Sequence, residues 1–174
     1  MKTVKINQND LLSVLTDRSK WEANGLDPKK GYVLFGNPGV GKTFAMREEA
    51  KTQKIGWGHP NLPSIYSGFR DFSSKLIFSK CEIQGSNYLN QFCEDHEMWL
   101  DDLGFEPTEC NSFGTKFIPM QDLIFHRHKL FPLRKTNFTT NYTLTQLEEK
   151  YGLAIISRLK EMCNFIIVTG EDRR

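Results

Sequence analysis

The feature that most constrains the fold of this chain is a glycine-rich segment, Gly36-Asn37-Pro38-Gly39-Val40-Gly41-Lys42-Thr43, which matches G-x-x-x-x-G-K-[ST] at every position. An apolar run before it predicts a buried strand at Tyr32–Phe35, and a helix is predicted from Lys42 to about Lys51. Glycines let the backbone N–H groups of such a loop turn toward phosphate oxygens, and the N-terminus of the next helix attracts anions. The segment therefore predicts a phosphate-binding loop, with Lys42 at the β/γ-phosphates and the Thr43 hydroxyl as a Mg²⁺ ligand.

Short strands and helices alternate along the rest of the chain. Four further strands are predicted at Ser64–Tyr66, Met98–Leu100, Thr136–Thr140 and Phe165–Val168. Helices are predicted from Asn9 or Asp10 to about Trp21, on a face formed by Phe69, Phe72, Leu76 and Ile77, and at Phe117–Lys129, Thr145–Tyr151 and Leu153–Met162. This alternation predicts an α/β layer fold with a largely parallel sheet.

Two acids, Asp101 and Asp102, close the predicted strand Met98–Leu100. This position puts them at the carboxyl end of the sheet, where α/β proteins bind ligands. From there Asp101 can hold Mg²⁺ through water, while Asp102 can orient and deprotonate an attacking water. Two acids after an apolar run are also common at ordinary helix starts, so this interpretation depends on the phosphate loop.

Asn141 and Arg158 are further candidates, and each has two interpretations. Asn141 follows the strand Thr136–Thr140. If that strand lies between the other two site strands, its amide can hydrogen-bond the attacking water or the γ-phosphate; otherwise it is a turn residue. Arg158 lies off the apolar face of its helix, so it is either a solvated charge or an arginine finger that reaches the γ-phosphate of a neighbouring subunit.

Taken in order, five segments resemble those of AAA+ ATPases of the initiator and helicase-loader group, in particular DnaC/DnaI-type loaders and IstB-like transposition ATPases. The segments are GNPGVGKT, WLDDLGFE, FTTNYTLTQLEEKYG, ISRLKEM and GEDRR, and the resemblance runs from about Gly31 to Arg174. It implies a P-loop NTPase three-layer sandwich whose five parallel strands, numbered from Tyr32–Phe35, lie in the order 5-1-4-3-2. It also implies an ATPase core at residues 31–174 without a C-terminal lid, preceded by a short helical segment at 1–30.

The resemblance implies a role for each candidate residue, with ATP and Mg²⁺ as the ligands. The Walker A motif would be the glycine-rich loop with Lys42 and Thr43, Walker B would be Asp101 and Asp102, sensor I would be Asn141, and the trans-acting finger would be Arg158. Arg173 is the nearest match to a second sensor arginine, and a solvated tail is the alternative. The resemblance further implies a homo-oligomer and, as partners, single-stranded DNA and a replicative helicase or a transposase.

The charge of the chain limits how it can contact DNA. Its 23 Lys and Arg against 21 Asp and Glu give a formal net charge of +2, so DNA contact requires local patches. One candidate patch mixes aromatic and basic residues, and its alternative is core phenylalanine with solvated lysine: Phe69, Arg70, Phe72, Lys75 and Lys80. The other is a basic run that also fits a solvated helix end: His126-Arg127-His128-Lys129 with Arg134 and Lys135.

The remaining composition bears on location and on other functions. No stretch approaches the roughly 18–20 uncharged residues of a membrane span, so we expect a soluble, cytoplasmic protein with its four cysteines as reduced thiols. The principal alternative to an ATPase acting on DNA is a slow, nucleotide-gated adaptor, because Asp102 is one methylene shorter than the Glu common at that position. A small-molecule kinase lacks an Arg-rich lid here, and a GTPase lacks an N-K-x-D segment.

Overall fold

The computed structural model describes residues 3–56, 73–93 and 97–173. These residues fold around a parallel sheet of five described strands with helices on both sides. The strands of the sheet, in spatial order, are β1 (Thr3–Asn7), β7 (Cys163–Thr169), β2 (Gly31–Phe35), β6 (Lys135–Thr139) and β3 (Glu97–Leu100). A separate antiparallel hairpin pairs β4 (Cys110–Ser112) with β5 (Thr115–Phe117).

The helices lie on the two faces of this sheet. Their bounds are α1 (Gln8–Thr16), α2 (Ser19–Ala23), α3 (Lys42–Gly56), α4 (Ser74–Gln84), α5 (Asn90–Cys93), α6 (Pro119–Lys129), α7 (Leu144–Tyr151) and α8 (Leu153–Met162). Helices α1, α2 and α3 bury their apolar side chains against one face, and α4, α6, α7 and α8 bury theirs against the other. The result is a three-layer α/β arrangement compatible with a P-loop-like sandwich.

The strand order of the described sheet agrees with the predicted order 5-1-4-3-2 only in part. Strands β7, β2, β6 and β3 correspond to predicted strands 5, 1, 4 and 3 and lie in that sequence, but the fifth described strand is β1, at the far edge beside β7. Predicted strand 2, Ser64–Tyr66, lies outside the described residues. Beyond β3, Ser73 forms an isolated parallel bridge with Asp101, so the residue just before α4 runs alongside the edge of β3.

Strand β1 was not predicted, because residues 1–30 were expected to be helical. It pairs in parallel with β7 over its whole length, with Thr3 opposite Phe165. Of its five residues only Ile6 is buried, so the strand lacks the apolar pattern that identifies a core strand. An edge strand needs only one buried face, and here the pairing with β7 determines its structure.

The predicted first helix is interrupted. Helix α1 ends at Thr16, and Asp17 then accepts hydrogen bonds from the Ser19 N–H (3.1 Å) and hydroxyl (2.5 Å), which starts α2. Trp21 on α2 is completely buried, with its indole N–H donating to the Val14 carbonyl oxygen (2.9 Å). The break therefore turns the chain so that both short helices cover the same face of the sheet. None of the helices in the described ranges has the length and apolarity needed to cross a membrane.

Candidate nucleotide site

The glycine-rich segment forms a tight loop between β2 and α3. Gly36 adopts a positive φ of 144°, and a Cβ there would lie 2.6 Å from the Val168 carbonyl oxygen, so only glycine fits. Lys42 folds back over the loop, and its Nζ donates to the carbonyl oxygens of Gly36 (2.7 Å) and Asn37 (2.9 Å). The Lys42 side chain is only 5% exposed, so its charge is held at the mouth of the loop rather than in solvent.

Asn141 connects this lysine to the acidic pair. Lys42 Nζ donates to Asn141 Oδ1 (2.8 Å), although the two residues are 99 positions apart in the sequence. Asn141 Nδ2 in turn donates to Asp102 Oδ1 (3.3 Å). The connection forms because β6, which precedes Asn141, lies between β2 and β3. The strand before Asn141 thus lies between the other two site strands, as its expected role requires.

Thr43 and Asp101 form the second contact between the loop and β3. Thr43 Oγ1 donates to Asp101 Oδ1 at 2.8 Å, and the Thr139 hydroxyl donates to the same carboxylate oxygen. Mg²⁺ binds oxygen donors such as hydroxyls and carboxylates, directly or through water. The hydroxyl of Thr43 and the carboxylate of Asp101 thus have the chemistry of Mg²⁺ ligands, and their hydrogen bond brings the two oxygens together.

Asp102 is held in an uncommon backbone conformation. Its φ is +56°, a region that non-glycine residues seldom occupy. Its N–H donates to Thr139 Oγ1 (3.0 Å), and its carbonyl oxygen accepts from Ser74 Oγ (2.6 Å), so two neighbouring elements fix it. Burial, followed by the nearby Asp101 carboxylate, raises the pKa of Asp102, while Lys42 opposes the shift. A raised pKa makes this carboxylate a stronger base.

Two residues that hold the acidic pair were not identified from the sequence. Thr139 contacts both acids, and Ser74 also donates its backbone N–H to the Asp101 carbonyl oxygen (3.0 Å). Ser73 and Ser74 begin α4, and Ser73 caps this helix by accepting from the Leu76 N–H (3.2 Å). The serine pair was a signal for a helix start, but its position beside β3 depends on the tertiary structure.

Arg158 is not among the residues that meet at this site. It lies on α8, its Nη1 donates to the Ala154 carbonyl oxygen (2.8 Å), and its guanidinium carbon lies 4.9 Å from the centre of the Phe125 ring. Helix α8 packs on the face of the sheet opposite α3. Within one chain, therefore, Arg158 is half-buried in a different layer from Lys42.

Arg173 approaches the loop through its backbone rather than its guanidinium. Its N–H donates to the Gly39 carbonyl oxygen (3.2 Å), so the last described residues run beside the loop. Its side chain is exposed and donates to Asn9 Oδ1 on α1. The structure thus places Arg173 next to the glycine-rich loop, with its charge directed toward α1.

Of the two candidate DNA-contact patches, the basic run is partly buried and the aromatic patch lies partly outside the described residues. In the basic run, Arg127 is completely buried and donates to Thr136 Oγ1 (2.9 Å) and to the Phe92 carbonyl oxygen (3.1 Å), so it is a packing residue. Lys135 Nζ donates to the Pro28 carbonyl oxygen (2.7 Å), and His128 pairs with Glu161 (2.7 Å). In the aromatic patch Lys75 and Lys80 lie on α4, while the rest falls outside the described residues: Phe69, Arg70 and Phe72.

No protein-family model and no curated protein matches this chain. The function is therefore inferred from the geometry of the site and from the motifs that it contains.

Proposed function

We propose that this chain binds ATP and hydrolyses it with Mg²⁺, as an ATPase of the AAA+ type. The observation that carries the proposal is the convergence of three distant segments at one edge of the sheet. Lys42 contacts Asn141, Asn141 contacts Asp102, and Thr43 contacts Asp101. A phosphate loop with a cation, a hydroxyl–carboxylate pair, a second carboxylate and an amide is the set of groups that hydrolysis of a nucleoside triphosphate requires.

Each residue has a separable task in this proposal. Lys42 neutralises charge on the β/γ-phosphates, which the N–H groups of the loop surround. Thr43 and Asp101 would hold Mg²⁺, which supplies neutralisation of the phosphate oxygens when bound. Asp102, with its raised pKa, accepts a proton from the attacking water, and the Asn141 amide orients that water.

The proposed ATPase acts on DNA, in replication in the manner of helicase loaders or in transposition. The order of the five motif segments supports this assignment, and the position of Arg158 on another layer supports a role in a neighbouring subunit. The proposed partners are further copies of this chain, single-stranded DNA, and a replicative helicase or a transposase. The proposed compartment is the cytoplasm.

The direct test measures phosphate release from ATP, with Mg²⁺ and then with excess EDTA, each with and without single-stranded DNA. We expect turnover that requires Mg²⁺, because Thr43 and Asp101 offer oxygen ligands only, and that increases with DNA. GTP in place of ATP is the matched nucleotide control. Turnover that persists in EDTA would contradict the assignment of Thr43 and Asp101.

Assembly gives an independent test of the partners. We expect the molar mass by light scattering to rise when ADP is replaced by a non-hydrolysable ATP analogue, and to rise further with single-stranded DNA. The physical reason is that a γ-phosphate offers Arg158 of a neighbouring subunit an anionic partner. A mass that stays at one subunit with ADP and with the analogue, each with and without single-stranded DNA, would contradict both the oligomer and the trans-acting role.

A second candidate function is a nucleotide-gated adaptor that hydrolyses ATP slowly and recruits a protein partner. The observation in its favour is that Arg158 bonds within its own helix, so a single subunit lacks its charge at the site. Fast single-turnover hydrolysis by an isolated subunit would exclude this function.

Replacing Asp102 by asparagine separates binding from hydrolysis. We expect hydrolysis to fall by about 10²-fold, because an amide cannot accept the proton of the water. ATP affinity should stay within about threefold, since Lys42 and the loop remain. The matched control is Asp122→Asn on α6, a carboxyl whose pKa burial also raises but which lies in the helical layer opposite α3. Equal losses for the two variants would contradict the role of Asp102.

A further inference from the structure

A buried polar cluster lies beneath α3, away from the phosphate loop. We call it the Glu49 cluster; its members are Arg18, Tyr32, Glu49, Glu97, Trp99 and Asn137. The Glu49 side chain is completely buried. Its Oε2 accepts from the Tyr32 hydroxyl (2.9 Å) and from the Trp99 indole N–H, and its Oε1 accepts from Arg18 Nη2 (3.3 Å). Its carboxylate therefore connects α3 to β2, to β3 and to the residues between α1 and α2.

A second carboxylate extends this cluster to β6. Glu97 Oε1 accepts from the same Arg18 nitrogen (2.6 Å) and from Asn137 Nδ2 (2.8 Å). Asn137 Oδ1 in turn accepts from the Tyr32 N–H (3.2 Å). The cluster thus joins α3 to the three strands that carry the loop, the acidic pair and Asn141.

The Glu49 cluster and the nucleotide site lie on the same side of α3 and on the same face of the sheet. Lys42 and Glu49 are seven residues apart on α3, so they lie on one side of the helix, about 10 Å apart along its axis. Trp99 is two residues before Asp101 and Asn137 two before Thr139, so each pair lies on one face of its strand. A displacement of α3 over the sheet at Glu49 would therefore move Lys42 and Thr43 against Asp101.

The position of Glu49 does not need a carboxylate for packing. Within residues 43–52 of α3 the other buried side chains are apolar, namely Ala45, Met46 and Ala50. Burying a charge is costly even where it has partners, and apolar side chains of similar volume often replace buried ion pairs without loss of stability. A carboxylate with three donors from three elements points instead to a requirement for an oriented, charged connection.

We propose, on the basis of the nucleotide site proposed above, that Glu49 is a positioning residue whose ionised carboxylate connects α3 to β2 and β3. This connection holds Lys42 and Thr43 in position relative to Asp101 and Asn141. The ionised group accepts from Tyr32, Trp99 and Arg18 together. Protonation adds an O–H that needs an acceptor and removes one of the two counter-charges of Arg18, leaving that of Glu97. The connection is therefore complete only in the ionised form.

The charges around Glu49 place this change near neutral pH. Burial, followed by the facing Glu97, raises the pKa of Glu49 to about 7, against the hydrogen bond from Trp99, the charge of Arg18 and the hydrogen bond from Tyr32. Lys135, at the amino end of β6, also faces the cluster, and burial lowers its pKa. Nucleotide affinity should consequently rise with pH as Glu49 ionises.

The effect of pH on stability has the opposite sign. Because the pKa of Glu49 is raised from 4.5 to about 7 on folding, the folded chain binds the extra proton between these values. The preference of the folded chain for protonated Glu49 therefore contributes fully to stability below the unfolded pKa. This contribution is lost as the pH rises through about 7. If Glu49 served stability alone, its ionisation would leave the nucleotide affinity of the folded chain unchanged, whereas a positioning role makes that affinity increase with pH.

The test compares the affinity of a fluorescent ATP analogue with Mg²⁺ for the wild-type chain and for Glu49→Gln, between about pH 6 and about pH 8. Glutamine keeps an oxygen that can accept from Tyr32 and Trp99, and it does not titrate. Phosphate oxygens of the nucleotide titrate in this range in both proteins, so the ratio of the two affinities isolates Glu49. We expect that ratio to rise about fivefold in favour of the wild type over the pH range.

The outcomes distinguish this proposal from the one it rests on. Parallel pH curves for two folded proteins would overturn the role of Glu49 and leave the nucleotide site standing. An absence of ATP binding by the wild type at every pH would overturn both.

If Glu49→Gln does not fold, Tyr32→Phe removes one donor and keeps the ring. Losing a hydrogen bond to the ionised form should move the midpoint of the pH dependence upward. The matched control is Tyr151→Phe, whose hydroxyl donates to another buried carboxylate, Glu106, on the opposite face of the sheet. Equal midpoints for the wild type and Tyr32→Phe would likewise overturn the proposal.

Discussion

Replacing Lys42 by alanine is expected to reduce Mg²⁺-dependent ATP hydrolysis by about 10²–10³-fold, the usual cost of removing one preorganised charge or donor from a transition state. The Lys42 ammonium is positioned before any ligand arrives, through the carbonyl oxygens of Gly36 and Asn37 and through Asn141 Oδ1. Its loss removes the charge at the phosphates and the contact that connects the loop to Asn141. Phosphate release under saturating ATP and analogue binding at equilibrium would measure the two effects separately.

The matched control for this variant is Lys51→Ala. Lys51 lies on the same helix, is exposed and pairs with Glu48 (2.5 Å), so its removal alters the charge of α3 without reaching the site. We expect its turnover to equal that of the wild type. Normal turnover by Lys42→Ala would refute the proposed function itself, because no other described cation contacts both the loop and Asn141.

Replacing Arg158 by alanine is expected to reduce hydrolysis by about 10³-fold in the assembled protein, within the range known for arginine fingers. In an isolated subunit ATP affinity should remain within about threefold, since Arg158 lies on a different layer from the loop of its own chain. The matched control is Lys129→Ala, because Lys129 Nζ also lies over the Phe125 ring (4.3 Å) and its loss removes a similar surface contact. Loss in both variants would indicate packing at Phe125 rather than a finger.

Mixing the two inactive variants provides a sharper test of the trans-acting role. Lys42→Ala supplies an intact Arg158, and Arg158→Ala supplies an intact Lys42, so some interfaces of a mixed oligomer contain both. We expect the mixture to recover a measurable share of wild-type turnover. Unchanged turnover by Arg158→Ala alone would remove the trans-acting role and favour the adaptor function.

Much of the sheet could be predicted because its strands are locally distinctive. Tyr32–Phe35 is a continuous apolar run, and the structure has a fully buried strand at Gly31–Phe35. The helix after the loop was predicted from Lys42, where α3 begins, although α3 extends to Gly56 rather than ending near Lys51. These elements carry their signals within a few residues, so periodicity and glycine placement suffice to find them.

The edge of the sheet could not be predicted in the same way. Strand β1 has one buried side chain, and only the backbone of β7 makes it a strand. Arg127 was expected at the surface with the other basic residues, yet it is buried, and its guanidinium donates to the Thr136 hydroxyl and to the carbonyl oxygens of Phe92 and Lys135. Neither the strand β1 nor the burial of Arg127 has a local cause, because β1 depends on β7 and Arg127 depends on residues of other elements.

The sequence by itself determined the chemical groups of the site: a glycine-rich loop with a lysine and a threonine, two acids after one strand and an asparagine after another. Their local spacing sufficed, because backbone freedom at glycine and the ends of strands are short-range properties. Only the tertiary structure decided that Lys42 reaches Asn141, that Thr139 and Ser74 hold the acids, and that Glu49 ties α3 to the sheet. The physical reason is that strand order brings together side chains such as those of Lys42 and Asn141, which are 99 residues apart, and no local pattern encodes that order.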